Sequence, residues 1–282
     1  MVPVVSPPAP VLGKATEAPR RRGRVVRLIV VVAAVAVLAG VLATTLGTDA
    51  PGPPSSSVGI AENRPVPASV LRIPLVDEHG QATSLGAFRG KIVVLASFLT
   101  SCQETCPLTT GAFLDMGRDL AAAGMASKVV FIEASVDPGR DLPGRLAAYG
   151  RTTGANWPLL TGTPSNMQAL WSSFGIYSKK VAEANPPGVD WQTGKPYTYD
   201  VDHSDGLLVF DQQMHERFVT GAAPNLGQDG LPTTLKAMLD AQGLHNLAHP
   251  GRGSWTIPEG LQAIGWVAGR RIPQVSSIPR VN

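Results

Sequence analysis

Cysteine is scarce: the 282 residues carry only two. A disulfide scaffold spreads many cysteines along a short chain, so that class is excluded. The two present, Cys102 and Cys106, stand four positions apart, which points to a chemical use of the pair and not to a staple between distant segments. An excess of one charge is lacking as well. The formal net charge is +3, and its positive side is concentrated in Arg20, Arg21, Arg22, Arg24 and Arg27. The remainder is near neutral, which leaves no case for nucleic-acid binding. No internal repeat is present, which removes solenoid and propeller architectures.

What the chain does have begins with an uncharged apolar run, Leu28 to Leu46. As a helix it is long enough to cross a hydrocarbon core of about 30 Å. The arginine cluster precedes it, so the positive-inside rule keeps the N-terminus in the cytoplasm and sends the rest outward. A cleaved signal peptide is the competing reading, but the run exceeds the usual apolar region of such peptides. No cysteine follows it, so a lipid-modified N-terminal cysteine is excluded. Residues 1–24 are Pro-rich and read as disordered; Asp49 to Pro67, containing APGPPSSSVG, reads as a tether. The expected organisation is a basic tail (1–27), a transmembrane helix (28–46), a flexible linker (47–67), a globular domain (68–250) and an extension (251–282) to which no structure is assigned.

Within the domain, Leu71 to Val76 alternates like a short strand. The runs KIVVLASFL (Lys91 to Leu99) and KVVFIEASV (Lys128 to Val136) read as buried central strands. Pro107 suits the first turn of a helix reaching about Ala123. Further helices are expected from near Asp141 to Gly150, from a Ser165 cap to Phe174, and from Leu231 to Gln242. Leu207 to Phe210 and Arg217 to Thr220 flank a turn and read as a hairpin. This succession predicts an α/β sandwich with a mixed sheet.

The chemistry concentrates in Thr100 to Gly111, TSCQETCPLTTG. Cys102 falls just past a strand end and Cys106 at a helix N-terminus, where partial positive charge is expected to lower its pKa. An i, i+4 spacing puts both sulfurs on one side, where they can form a disulfide or share a soft ion such as Cu(I) or Zn(II). A structural disulfide or two buried thiols explain the spacing equally well. His203 lies in the polar stretch Tyr199 to Ser204 between flanking acids; such a loop histidine is a metal ligand or merely a solvated side chain, and nothing in the linear order brings it near the cysteines.

Several stretches in one order resemble the Sco/SenC family of copper-binding assembly proteins. They are Gly90-Lys91 with its strand and TSCQETCP; Ser135 to Pro143 running on to Leu146 and Tyr149; Trp157 to Gly162 with Trp171 and Phe174; and Val201-Asp202-His203-Ser204. The resemblance covers roughly residues 68–243. It implies a thioredoxin-like fold, a copper ion held by Cys102, Cys106 and His203, and a membrane-anchored domain outside the cytoplasm, at a bacterial cell membrane or alternatively the mitochondrial inner membrane. The implied partner is the copper-containing subunit of cytochrome c oxidase or another copper chaperone. The alternative is a thiol–disulfide oxidoreductase in which Cys102 and Cys106 are catalytic and reduce the cysteines of the target copper site. The chain departs from the family pattern at Glu183 to Lys195, which is long and rich in Pro and Gly, and at Asp205, where a small residue is commoner. Of the remaining candidates, His245 and His249 share an i, i+4 spacing but no third ligand is evident; His79, Met214 and His215 read as turn residues; and Trp157, Trp171 and Phe174 read as core. Asp137, Arg140 and Asp141 could form a charge network beneath the site, though helix capping by Asp141 is the simpler account.

Overall fold

The computed structural model describes residues 50–227 and 230–275. The expected tail and membrane span lie outside the described residues. Among the described residues, no helix is long and apolar enough to cross a membrane.

In chain order the elements are β1 (Ile60–Pro65), α1 (Ala68–Leu71), β2 (Leu75–Val76), β3 (Ala82–Thr83), a 3₁₀ turn (Leu85–Phe88), β4 (Ile92–Phe98), α2 (Cys106–Ala122), β5 (Val129–Ser135), α3 (Pro143–Thr153), β6 (Leu159–Leu160) and α4 (Pro164–Ser173). There follow β7 (Ser178–Val181), β8 (Asp200–His203), β9 (Leu207–Phe210), β10 (His215–Thr220), β11 (Pro224–Asn225), α5 (Thr233–Lys236), α6 (Ala241–Ala248), β12 (Trp255–Thr256) and α7 (Ile257–Ala268). The main sheet has the order β1-β10-β9-β4-β5-β6. The β4, β5 and β6 strands run parallel, whereas β9, β10 and β1 add antiparallel pairings. Parallel neighbours need a crossover, and α2 and α3 supply the two. The expected mixed α/β sheet is therefore present.

Every residue of β4 is buried, as expected of a central strand covered on both faces. On α2 the buried residues Leu108, Ala112, Phe113, Met116 and Leu120 repeat at helical spacing, so one stripe packs on the sheet. Because β4 ends beneath the start of α2, the loop between them opens at the carboxyl end of a central strand, where open α/β sheets bind their ligands.

Several expectations change. The second half of the supposed tether is ordered: β1 pairs with β10, Ile60 opposite Val219 and Pro65 opposite His215. Pro65 is tolerated because it closes an edge strand, and Val58 and Val66 are buried beside it. The alternation at Leu71 to Val76 yields the end of α1 and a two-residue strand instead of one continuous strand, since Pro74 interrupts it. Thr163, not Ser165, caps α4, accepting from the Asn166 N–H at 3.2 Å. The single helix expected over Leu231 to Gln242 is two: Asp240 accepts from the Gly243 N–H at 2.7 Å and caps a new one.

The largest revision is at the C-terminus. Residues 251–275 contribute to the core, with Trp255, Leu261 and Ile264 each about 1% exposed. Thr256 and Glu259 form a reciprocal capping box that starts α7. Gly260 permits the close approach, since a Cβ there would lie 2.6 Å from Met116 Sδ on α2.

One buried acid interrupts this core. Glu133 in β5 is fully buried; the Thr110 hydroxyl donates to it at 2.7 Å and the Trp157 indole N–H at 3.0 Å. Burial pushes its carboxyl up to about 7, against the pull of those two donors. The folded state thus holds this proton more tightly than the unfolded chain. The associated stability is fully present below the ordinary glutamate range and is lost as pH rises through about 7. Glu133→Gln keeps an uncharged hydrogen-bonding group and removes that dependence. Urea unfolding at pH 5 and pH 8 should show the variant gaining ~2.5 kcal/mol on the parent between the two. A constant difference would show that Glu133 is not held neutral.

Candidate metal centre

Three segments distant in sequence converge at the carboxyl end of β4. Cys102 lies in the loop after β4, Cys106 is the first residue of α2, and His203 is the last residue of β8. Their ligating atoms all lie within 4.8 Å of one another. Cys106 Sγ is 4.0 Å from His203 Nε2, and the Cys106 backbone N–H donates to Cys102 Sγ at 3.4 Å. Both cysteines are free; Cys106 is buried and Cys102 half-buried. The sequence left His203 unplaced. The fold brings it in because β8 pairs with β7, Ser178 opposite His203, and the following turn is pinned to β4 by the Ser97 hydroxyl, which donates to the Ser204 carbonyl at 3.0 Å.

That same carbonyl lies 3.1 Å from His203 Nδ1. A carbonyl oxygen only accepts, so in the neutral ring Nδ1 carries the proton and Nε2 presents its lone pair to the sulfurs.

The two thiols differ in the opposite sense to the expectation drawn from the helix N-terminus. Cys106 is pushed well up, first by burial and then by its neighbour Cys102. Cys102 is drawn well down, chiefly by the hydrogen bond from Cys106, with His203 helping. Two adjacent thiolates repel, so one proton stays on the pair. It stays on the more buried sulfur, and burial outweighs the helix-end field. Burial would lower His203, but the Cys102 thiolate and the Ser204 carbonyl carry it up to about 9. In its metal-free form the site is therefore a thiolate, a thiol and an imidazolium. A soft cation taking two sulfurs and a nitrogen would displace two protons, one from the Cys106 thiol and one from the His203 imidazolium.

The surroundings fix the cysteine loop. Asp141 accepts from the Thr100 hydroxyl at 2.5 Å and the Ser135 hydroxyl at 2.6 Å, and Arg145 Nε donates to Thr100 Oγ1 at 2.5 Å. The expected charge network is realised in part: Asp137 pairs with Arg140, whereas Asp141 is held by the two hydroxyls with Arg145 3.9 Å away. The capping role expected for Asp141 is not realised, because Leu142 holds the N-cap position of α3 without a side-chain bond. Arg140 pairs with Asp137, lies 4.0 Å from the centre of the Tyr199 ring and donates to the Tyr199 carbonyl at 2.9 Å. That anchors the approach to β8 and hence His203.

The long segment Glu183 to Lys195 takes part directly. Trp191 donates its indole N–H to the Thr100 carbonyl at 2.7 Å, and Asp190 pairs with Arg145 at 2.8 Å. The sequence reading missed Trp191 as a site residue, although an aromatic within a Pro/Gly-rich loop was the available signal. Asp205 accepts from the Thr105 hydroxyl at 2.8 Å, and that hydroxyl is 3.8 Å from Cys102 Sγ. The acid thus ties the histidine turn to the cysteine loop. Trp157, Trp171 and Phe174 are buried as expected. His79 is an exposed turn residue beside Glu78; His215 opens β10 next to Asn63.

Fold and site together define a mixed α/β domain that presents two thiols and an imidazole as one compact soft-metal site. The sequence profile of the SCO1/SenC family matches residues 68–240, more than half of the chain. The chain belongs to the SCO1/SenC family. It is 27% identical over 117 residues to a Bacillus subtilis (strain 168) protein named SCO1 protein homolog, covering 40% of this chain and 58% of that one. It is 24% identical over 139 residues to the protein sco1 of Schizosaccharomyces pombe, covering 49% of each. The chain thus spans less than two thirds of the length of either relative. The crystal structure of Arabidopsis thaliana ScoI with copper bound aligns at 21% identity and a TM-score of 0.44, over 57% of this chain and 87% of that one.

Proposed function

We propose that this protein is a copper metallochaperone with a thioredoxin-like domain. It carries Cu(I) on Cys102, Cys106 and His203 and delivers it to the binuclear copper site of cytochrome c oxidase. The observation that carries the reading is the convergence of two sulfurs and one imidazole nitrogen within 4.8 Å, together with family membership. Thiolates favour Cu(I), and an imidazole can also hold Cu(II). The copper is cargo. Three ligands leave room for an incoming partner sulfur, so the ion can pass by ligand exchange without being released. Copper-loaded chain mixed anaerobically with the reduced, metal-free copper domain of the oxidase should lose its copper to that domain; retention on this chain would refute delivery.

The low-pKa Cys102 favours one second reading, thiol–disulfide exchange. The Cys102 thiolate would attack a partner disulfide and form a mixed disulfide. Cys106, losing its proton, would then close the Cys102–Cys106 disulfide and release the partner as a dithiol, two electrons having passed to it. Copper content of the anaerobically purified chain, set against its insulin-reduction activity, separates the two: bound copper with little reductase activity supports the chaperone.

Membrane anchoring by residues 28–46, with the domain outside the cytoplasm, belongs to the same proposal and rests on the apolar run and the arginine cluster before it. An alkaline phosphatase fused after residue 66 should be active, and moving the five arginines to the far side of the run should weaken or invert the orientation. An inactive fusion to the native sequence would overturn it.

A further inference from the structure

We propose that His245 and His249 form a second metal site, exposed to solvent, that takes a divalent ion of Cu(II) type. The inference goes beyond the Cys102–Cys106–His203 reading and does not rest on it. The His245 ring in the last turn of α6 and the His249 ring at its C-cap lie side by side, with centroids 4.7 Å apart and planes tilted by 43°. Rings so placed can both turn a nitrogen toward one ion. Neither ring hydrogen-bonds to another described residue, so their lone pairs are not otherwise engaged. The pair occupies the C-terminal end of the helix: His245 lies in its last turn, and His249 is the C-cap, its N–H bonded to the His245 carbonyl at 2.8 Å. The partial negative charge there favours a cation.

The helix stands in a telling place. It lies beyond residues 68–240, the stretch that matches the family, and yet it packs directly on the loop between the two cysteines. The Asp240 N–H donates to the Gln103 carbonyl at 3.0 Å. A Cβ on Gly243 would lie 2.2 Å from that same oxygen, so only glycine permits the approach. The part of the chain outside the family match therefore packs the start of α6 on the cysteine loop and carries the imidazole pair at the other end of the same helix.

The donor set decides the ion. Two imidazoles without a sulfur suit Cu(II) better than Cu(I), and Cu(II) heads the stability order among divalent first-row ions. Among the described residues, the only cluster of three or more potential ligands is Cys102, Cys106 and His203. Water must complete the His245–His249 site, which leaves it open and exchangeable.

The test uses the full chain, purified in detergent without a histidine tag and carrying C102S, C106S and H203A to silence the first site. Titrated with Cu(II) alone, it should bind about one ion with imidazole-nitrogen coupling in its electron paramagnetic resonance spectrum. Adding H245Q/H249Q, which keeps good helix formers on α6, should weaken binding roughly tenfold or more and remove that coupling. H79A, at an exposed histidine elsewhere, should change neither. Unaltered affinity and coupling in H245Q/H249Q, or loss of both in H79A, would overturn the proposal. Because the first site is already disabled, neither result depends on whether that site carries copper.

Discussion

Cys102→Ser and Cys106→Ser should each abolish tight Cu(I) binding by the full chain. The sulfurs are two of three donors, and a hydroxyl is a hard, poor ligand for Cu(I). Even groups that merely orient a ligand are worth ~10–100-fold in metal affinity, so removing a thiolate outright should exceed that range in a competition titration against a Cu(I) chelator. The two variants should differ in stability. Cys102 is half-buried and accepts the Cys106 N–H, a bond that serine can also accept. Cys106 is only 2% exposed, so its serine variant carries a hydroxyl into the core and should unfold at lower urea, by about 1–3 kcal/mol if that hydroxyl finds no partner. Parent-like Cu(I) affinity in both variants would place the site elsewhere.

His203→Ala separates copper carriage from disulfide exchange. Exchange needs two thiols and a suitable thiolate, but no third ligand. The variant should lose copper affinity, most of all for Cu(II), while the Cys102–Cys106 disulfide still forms and is still reducible. Protons compete with the ion here. With His203 carried up to about 9 and Cys106 pushed well up in the metal-free site, Cu(I) binding at pH 7 should release about two protons, one from each, seen as a buffer-dependent heat. Affinity should accordingly fall as the solution is acidified. Full copper affinity in His203→Ala with loss of reductase activity would show that the histidine tunes a redox thiol instead.

How far these residues were legible varies with the range of the interaction that places them. The buried strands could be read because nine-residue apolar runs bounded by turn signals have few other fates. The start of α2 could be read because Pro107 marks a first turn locally. Cys102 and Cys106 are four residues apart, so the short loop that leads into α2 decides their contact. His203 is different. It reaches the cysteines only because β8 pairs with β7 and Ser97 pins the turn that follows, a tertiary arrangement with no local signature. Family resemblance, not the residues themselves, pointed to it.

The thiol order was misjudged for a related reason. A helix N-terminus is visible in the sequence, but the burial that overrides it at Cys106 is set by the whole fold. Two misses were avoidable. Thr256-Ile257-Pro258-Glu259 is a capping box with proline in the first turn and Gly269 closing the helix, and Glu133 is an acid inside an otherwise apolar strand, always a reason to look for buried partners.

The central claim is that copper sits on two sulfurs and one imidazole. X-ray absorption at the copper edge of the Cu(I)-loaded full chain tests it most directly. The account predicts two sulfur donors and one nitrogen donor in the parent, the nitrogen lost in His203→Ala and one sulfur lost in Cys102→Ser. A copper shell with no sulfur, or one that neither substitution alters, would contradict it.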